Sequence, residues 1–202
     1  MLPSHSGILP FQTLRQCLEK GWITASQPFN AQQVQPSRLD LRLSEEAYLL
    51  EASFLPKRDH SITEQLPSHH AIPLSLSPSY VLCPGQVILV KLMEELALPS
   101  MLEGMANPKS SIGRLDLQVR LMTDATPMFD TVPQHYTGPL YVQISTLSFP
   151  ICLSPGISLT QLRMATPNVH PFTDQALKDL HEQTPLVHSA PGCPTTPTIK
   201  QG

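Results

Sequence analysis

Prolines recur throughout the middle of this chain and limit the length of any helix that it can form there. They occupy positions 67, 73, 78, 84, 99, 108, 127, 133, 139, 150 and 155. Proline has no backbone N–H to donate, and its ring clashes with the preceding helical turn, so it ends helices. The spacing divides the chain into short extended segments joined by turns, and the sequence therefore predicts a mainly β fold with few helices.

Alternating apolar and polar residues mark the predicted strands. These strands cover residues 37–43, 48–54, 80–83, 86–92, 114–123, 140–145, 149–153 and 157–163. Pro84-Gly85 is predicted to form a type II turn, and Pro155-Gly156 repeats the same device. We expect the last two strands to close the sheet as a hairpin, residues 100–105 to form a short helical turn, and residues 57–79 to form a long surface loop.

Helices are predicted near the two ends of the chain. Residues 11–20 carry apolar side chains at helical spacing and stop at Gly21. Thr173 is placed to cap a second helix that runs to residue 183. The expected organisation is one domain over residues 1–165, a linker helix over 166–184, and a loose, proline-rich tail over 185–202.

Composition excludes several classes of function. A net charge of −3 offers no basic field for a nucleic acid polymer and no polybasic face for a membrane. Four scattered cysteines suggest neither a disulfide framework nor a zinc site, and residues 1–30 lack a signal-peptide pattern. We therefore expect a cytoplasmic protein of one main domain that holds any anionic ligand locally. His60, His69 and His70 are expected to be solvated loop residues.

The segment from Lys109 to Arg114 is suited to binding a polyphosphate. Lys109 offers a compact cation, and Ser110 and Ser111 offer hydroxyl and backbone donors. Gly113 allows close approach of a ligand, and Arg114 offers a planar fork of donors. The alternative is an ordinary polar turn before a strand.

Five segments together resemble the dCTP deaminases of the dUTPase-like superfamily, in order and in spacing. They are residues 35–43 (QPSRLDLRL), 107–114 (NPKSSIGR), 129–130 (FD), 136–138 (YTG) and 159–163 (LTQLR). The resemblance implies a distorted β barrel or jelly roll, a homotrimer with nucleotide sites at subunit boundaries, and a triphosphate bound with Mg²⁺. The predicted second helix and residues 184–187 resemble the linker of a longer, internally duplicated bacterial form, of which this chain would be the first half.

The resemblance also implies roles for individual residues. Lys109, Ser110 and Ser111, with the backbone of Ile112 and Gly113, would hold phosphates, Arg114 would reach a phosphate or the catalytic water, Asp130 would meet the 3′-hydroxyl of the deoxyribose, Tyr141 and Val142 would contact the base through their backbone, and Gln161 would touch the triphosphate. Asp130 lies three residues further from the 136–138 turn than is usual in the family. The expected catalytic set is Ser111, Arg114 and the residue at position 143.

Position 143 departs from the family pattern. In deamination, water attacks C4 of cytosine and ammonia is released. The zinc deaminase signature, H-x-E followed by P-C-x-x-C, does not occur in the sequence, so no zinc is expected and a carboxylate must take the proton of the water. Family members place a glutamate where this chain has Gln143. An amide cannot accept a proton near neutral pH, and a general base typically contributes about 10² to 10⁴ in rate.

Three functions therefore stay open. In the first, the chain is an active dCTP deaminase that forms dUTP, and Asp116, Asp124, Asp130 or a second half supplies the general base. Alternatively, it binds dCTP as a scaffold or regulatory half without chemistry. The third possibility is a dUTP pyrophosphatase, in which an aspartate activates water toward the α-phosphate. Arg38 and Arg42 are expected to be charges of a trimer interface or of the sheet surface.

Overall fold

The computed structural model describes residues 7–167 and 172–195. The chain divides into two compact units, the first ending at Pro167 and the second beginning at Asn168. No helix among the described residues is both long enough and apolar enough to cross a membrane.

The first unit is built mainly from strands. They are β1 (Ile23–Ala25), β2 (Val34–Gln35), β3 (Arg38–Leu50), β4 (Ile72–Ser75), β5 (Tyr80–Leu82), β6 (Val87–Ala97), β7 (Glu103–Pro108), β8 (Leu117–Thr123), β9 (Thr131–Val132), β10 (Thr137–Thr146), β11 (Ile151–Leu153) and β12 (Ser158–Ala165). The helices of this unit are α1 (Phe11–Glu19), α2 (Ile62–Gln65) and α3 (Ser110–Gly113), with a 3₁₀ turn over Leu66–His69. The predicted mainly β class and the short N-terminal helix are confirmed.

Most of these strands form one antiparallel sheet that curves back on itself. Its order is β8-β10-β6-β3-β12-β7-β9, with β1 added to β6 and with β2 and β4 added to β3. The two ends of this order meet, because the Asp130 N–H, just before β9, donates to the Leu121 carbonyl of β8 at 2.9 Å. The sheet is thus nearly closed and barrel-like, as expected, while β5 and β11 pair as a separate ribbon.

Strand β10, which carries Gln143, is buried on both of its faces. Leu140, Val142 and Ile144 pack into the main core. Tyr141 points to a second apolar cluster with Phe54, Ile62, Leu66 and others. A strand covered on both faces has a continuous run of buried residues, and Gln143 is buried within this run.

The segment over residues 57–79 is not the long surface loop that was predicted. Ser61 and Glu64 form a capping box that starts α2, and the helix buries Ile62 against the second cluster. Leu76 is also fully buried. Ile62 and Leu66 of this polar stretch therefore share the second apolar cluster with Tyr141 of β10.

Other predictions were wrong about pairing. The two predicted strands at 37–43 and 48–54 are largely one long strand, β3, with a register shift between Leu43 and Ala47. Residues 103–105 belong to β7 rather than to a helical turn. No hairpin joins β11 to β12, because β11 pairs with β5 while β12 lies between β3 and β7. These pairings are long-range and leave no local signal in the sequence.

The second unit contains α4 (Asp174–Gln183) and a hairpin of β13 (His188–Ala190) with β14 (Cys193–Pro194). The Thr173 hydroxyl accepts a hydrogen bond from the Ala176 N–H at 3.2 Å, so the predicted cap is confirmed. The domain limits and the loose tail over 185–202 stay predictions, and residues 196–202 lie outside the described part of the chain.

Candidate functional site

A cavity of about 460 Å³ lies beside strands β8 and β10. Its walls combine apolar and small polar side chains with a single arginine. The lining residues are Ser53, Val87, Pro108, Leu117, Gln118, Val119, Arg120, Phe129, Gln143, Ile144 and Ser145. We call this space the Gln143 cavity. Its size is within the range of small-molecule sites, so it is the candidate for the base of a nucleotide.

Gln143 is held in one orientation by the backbone of Phe54. Its Oε1 accepts a hydrogen bond from the Phe54 N–H at 3.1 Å, and its Nε2 donates to the Phe54 carbonyl at 3.4 Å. The side chain is 4% exposed. An amide satisfies both partners because it carries one acceptor and one donor group, which a carboxylate does not. Gln143 therefore ties the segment before α2 to the central strand.

Arg120 lies directly across from Gln143 in the β8–β10 register. Its Nε is 3.0 Å from the Asp130 carboxylate, and its guanidinium stands 5.3 Å from the centre of the Phe129 ring. Asp130 also accepts a hydrogen bond from the Leu121 N–H at 2.8 Å. Burial raises the pKa of Asp130, opposed by this hydrogen bond and by Arg120. Arg120 was not predicted as a site residue, because its only signal in the sequence was a polar position in an alternating strand.

The predicted phosphate segment forms α3, a short helix that was not expected. Ser110, Ser111 and Arg114 are exposed, and among the described residues their side chains make no hydrogen bond or ion pair. Ile112 is 8% exposed and packs into the core, which anchors the helix. A Cβ atom added at Gly113 would meet no atom within 4 Å, so packing does not require glycine there.

Lys109 is already paired within the chain. Its Nζ lies 2.6 Å from the carboxylate of Asp40, whose side chain is 12% exposed. Both residues line a separate polar cavity of about 260 Å³, together with Arg42 and Gln33. Any phosphate that binds Lys109 must compete with Asp40. The Asp40 position was visible in the sequence only as one polar residue of the predicted strand 37–43.

Arg42 is not the surface charge that was predicted. It is 8% exposed, and its Nε donates to the Glu94 carboxylate at 2.8 Å, while its other nitrogens donate to the carbonyls of Gln27 and Pro28. Glu94 is fully buried. Its carboxylate also accepts hydrogen bonds from the backbone N–H of Arg42 and from Nε2 of Gln33. A buried ion pair of this kind persists because hydrogen bonds satisfy its remaining polar atoms. Arg38, in contrast, is half exposed, with its Nε 4.0 Å from Asp40.

The remaining predicted site residues lie within the sheet. Tyr141 and Val142 pair on both sides, with β6 and with β8. Gln161 is 7% exposed and pairs with Asp40 of β3 and Asn107 of β7. Their contacts with a base and with a triphosphate stay predictions. Within one chain, Gln143 and Lys109 line different cavities. The two cavities are adjacent along the chain, because Pro108 lines the Gln143 cavity and the next residue, Lys109, lines the other.

The alternative acids are bonded to groups other than Gln143, and one of them, Asp130, is ion-paired with Arg120, the residue across from Gln143. Asp116 accepts a hydrogen bond from the Ser148 hydroxyl, and Asp124 accepts one from the Ile62 N–H at 2.7 Å. Burial raises the pKa of Asp124. Of the residues that the structure describes, no aspartate or glutamate lines the Gln143 cavity. The described residues also include no cluster of three or more His, Cys, Asp and Glu side chains placed to hold a metal ion.

Comparison with known proteins gives one consistent family. The model of the 2′-deoxycytidine 5′-triphosphate deaminase (DCD) N-terminal domain matches residues 5–168. A protein named dCTP deaminase, dUMP-forming, from Acidothermus cellulolyticus is 30% identical over 169 residues, which cover 82% of this chain and 84% of the relative. A protein of the same name from Streptomyces coelicolor is 32% identical over 149 residues, covering 72% of this chain and 74% of the relative.

A solved structure extends the likeness to the fold. The crystal structure of 2′-deoxycytidine 5′-triphosphate deaminase from Agrobacterium tumefaciens matches 92% of this chain with a TM-score of 0.85 and 39% identity. The matched part makes up 55% of that protein, so the present chain spans about half its length.

Proposed function

Because this chain belongs to the dCTP deaminase family, we propose that it binds dCTP as the magnesium complex and that, by itself, it lacks the general base for rapid deamination. The observation that carries this proposal is the state of Gln143. The amide is buried, and both of its ends are bonded to the backbone of Phe54.

The chemical step requires a proton acceptor at the attacking water. Gln143 cannot serve, because an amide does not take a proton near neutral pH. The described lining of the Gln143 cavity contains no carboxylate that could replace it. Loss of a general base typically slows such a reaction by about 10² to 10⁴. The chain alone is therefore expected to turn over dCTP far more slowly than a member with glutamate at this position.

Binding does not depend on that carboxylate. Arg114, Ser110 and Ser111 are exposed and free of protein partners among the described residues, so they are available to phosphate oxygens. Their segment begins beside the Gln143 cavity, because Pro108 lines that cavity. The names of the relatives and of the matched structure all specify dCTP as the substrate of those proteins.

A complete site is proposed to need a second copy of the fold. In one chain Lys109 and Gln143 line different cavities. The proposed assembly would bring Lys109 of one copy to the Gln143 cavity of another. A homotrimer, as the family resemblance implies, or a second half in the same polypeptide would provide this arrangement. Sedimentation of the 202-residue chain with and without Mg·dCTP measures the first possibility.

The test combines binding with turnover. Calorimetry should show Mg·dCTP binding to the purified chain, while ammonia release stays near the uncatalysed rate. Gln143→Glu should increase ammonia release by at least about tenfold, as expected for restoring a general base. Gln12→Glu, at an exposed position outside the cavity, is the matched control and should not. Rapid turnover by the unmodified chain, or equal turnover in all three proteins, would contradict the proposal.

The product also distinguishes family branches. The product expected from the sequence is dUTP, whereas the names of the two relatives describe those proteins as dUMP-forming. Chromatography of the reaction of the Gln143→Glu variant separates dUTP from dUMP. Pyrophosphate release from added dUTP by the unmodified chain would instead favour the pyrophosphatase.

A further inference from the structure

We propose that the Gln143 cavity prefers a pyrimidine with a carbonyl oxygen at C4, such as uracil, over cytosine, which carries an amino group there. The inference rests on the proposed function, since it assumes that the base of the nucleotide enters this cavity. It concerns which nucleotide this chain retains: the deaminated form rather than the substrate.

Arg120 and Gln143 place hydrogen-bond donors at the cavity, beside Ser53, Gln118 and Ser145, which can both donate and accept. Arg120 is the one ionisable residue among the described residues that line it. Its Nε faces Asp130, so the terminal guanidinium nitrogens remain for a ligand, and no described residue bonds to them. The contact with Phe129 and the ion pair with Asp130 restrict the position of the guanidinium. Arginine always carries its charge and never accepts a hydrogen bond, so this group selects an acceptor.

Gln143 adds a donor to the same space. The Phe54 N–H can bond only to an acceptor, so the contact at 3.1 Å identifies that atom of the amide as Oε1. The Nε2 group then faces the Phe54 carbonyl with one hydrogen, at 3.4 Å, and its second hydrogen is left for a ligand. A carboxylate at position 143 would instead present acceptors only.

Cytosine and uracil differ at C4, where cytosine carries a hydrogen-bond donor and uracil an acceptor. The amino group of cytosine donates, and it meets Arg120, which also donates. The carbonyl oxygen of uracil accepts, and it can take hydrogen bonds from both Arg120 and Gln143. Sites that leave a polar group unpaired discriminate strongly, and one hydrogen bond to a charged group corresponds to about tenfold or more in affinity. We therefore expect Mg·dUTP to bind at least about tenfold more tightly than Mg·dCTP.

The experiment measures both affinities by calorimetry on the full chain and on three variants. Gln143→Glu should reduce or reverse the preference for dUTP, because it replaces a donor with acceptors. Arg120→Met keeps the length of the side chain but removes its donors, and it should bring the two affinities within about threefold. Arg163→Met removes an exposed arginine of β12 and should retain the preference of the unmodified chain.

The outcomes separate the two proposals. Binding of dCTP as tight as that of dUTP in the unmodified chain would overturn the base preference and leave the proposed function standing. Binding of neither nucleotide would overturn the proposed function itself. If Arg120→Met does not fold, as judged by circular dichroism, the unmodified chain and Gln143→Glu still decide the question.

Discussion

The substitution Gln143→Glu tests whether the Gln143 amide holds the Phe54 backbone by accepting one hydrogen bond and donating another. An ionised glutamate can still accept from the Phe54 N–H, but it has no hydrogen to donate to the Phe54 carbonyl. One carboxylate oxygen would then face a carbonyl oxygen in a position that is 4% exposed. The variant should be less stable at neutral pH, although it restores the family residue.

The magnitude follows from the two contacts. Losing the donated bond leaves the buried Phe54 carbonyl unpaired, which costs about 1–3 kcal/mol, offset in part by the stronger charged bond to the Phe54 N–H. Arg120 lies across the strand pair and opposes the desolvation of the new charge. We expect the free energy of unfolding to fall by about 2 kcal/mol at pH 7.5.

The pH dependence has a definite sign. Burial should raise the pKa of the introduced carboxyl in the folded state above its unfolded value of about 4.3. Below that value the group is protonated in both states and can donate to the Phe54 carbonyl as glutamine does. The difference in stability between variant and parent should therefore be smallest near pH 4 and should grow as the pH rises through the folded pKa.

Urea unfolding followed by the fluorescence of Trp22, the single tryptophan of the chain, measures this difference between pH 4 and 8. Gln118→Glu provides the control and should change stability by less than about 0.5 kcal/mol at every pH. A Gln143→Glu protein as stable as its parent at pH 7.5, or one whose deficit grows on acidification, would refute the hydrogen-bond assignment.

Three further predictions follow from other contacts. Arg114→Ala should weaken Mg·dCTP binding by about tenfold or more, since it removes a hydrogen bond to a charged group, whereas Lys57→Ala should leave calorimetric affinity unchanged; equal effects would argue against a phosphate site at 109–114. Glu94→Gln should lower the free energy of unfolding by about 3 kcal/mol, because it leaves the charge of Arg42 uncompensated in the interior. Glu95→Gln, at an exposed position, should lower it by less than about 0.5 kcal/mol. Similar losses for the two variants in urea unfolding would disprove the importance of burial. Burial raises the pKa of the Cys17 thiol to about 11, so a variant that retains Cys17 as its only cysteine should react with a thiol reagent at pH 8 much more slowly than one that retains the exposed Cys83.

Local chemistry explains why part of the site could be predicted. The prolines and the apolar alternation indicated strands near their observed positions. The polar 109–114 segment does expose Ser110, Ser111 and Arg114, and phosphate binding there stays a prediction. Ser61 and Glu64 have the sequence spacing of a capping box, but α2 was not predicted because residues 57–79 are mostly polar. The hairpin predicted for β11 and β12 failed because adjacency along the chain does not determine which strands pair.

The sequence by itself determined the mainly β class, the helices near the two ends, the family and the departure at position 143, because these depend on residue identity and on neighbours a few positions away. The tertiary structure alone decided what Gln143, Lys109 and Arg42 contact. Their partners Phe54, Asp40 and Glu94 are 89, 69 and 52 residues distant along the chain. Strand order and register bring such partners together, and no local pattern encodes them.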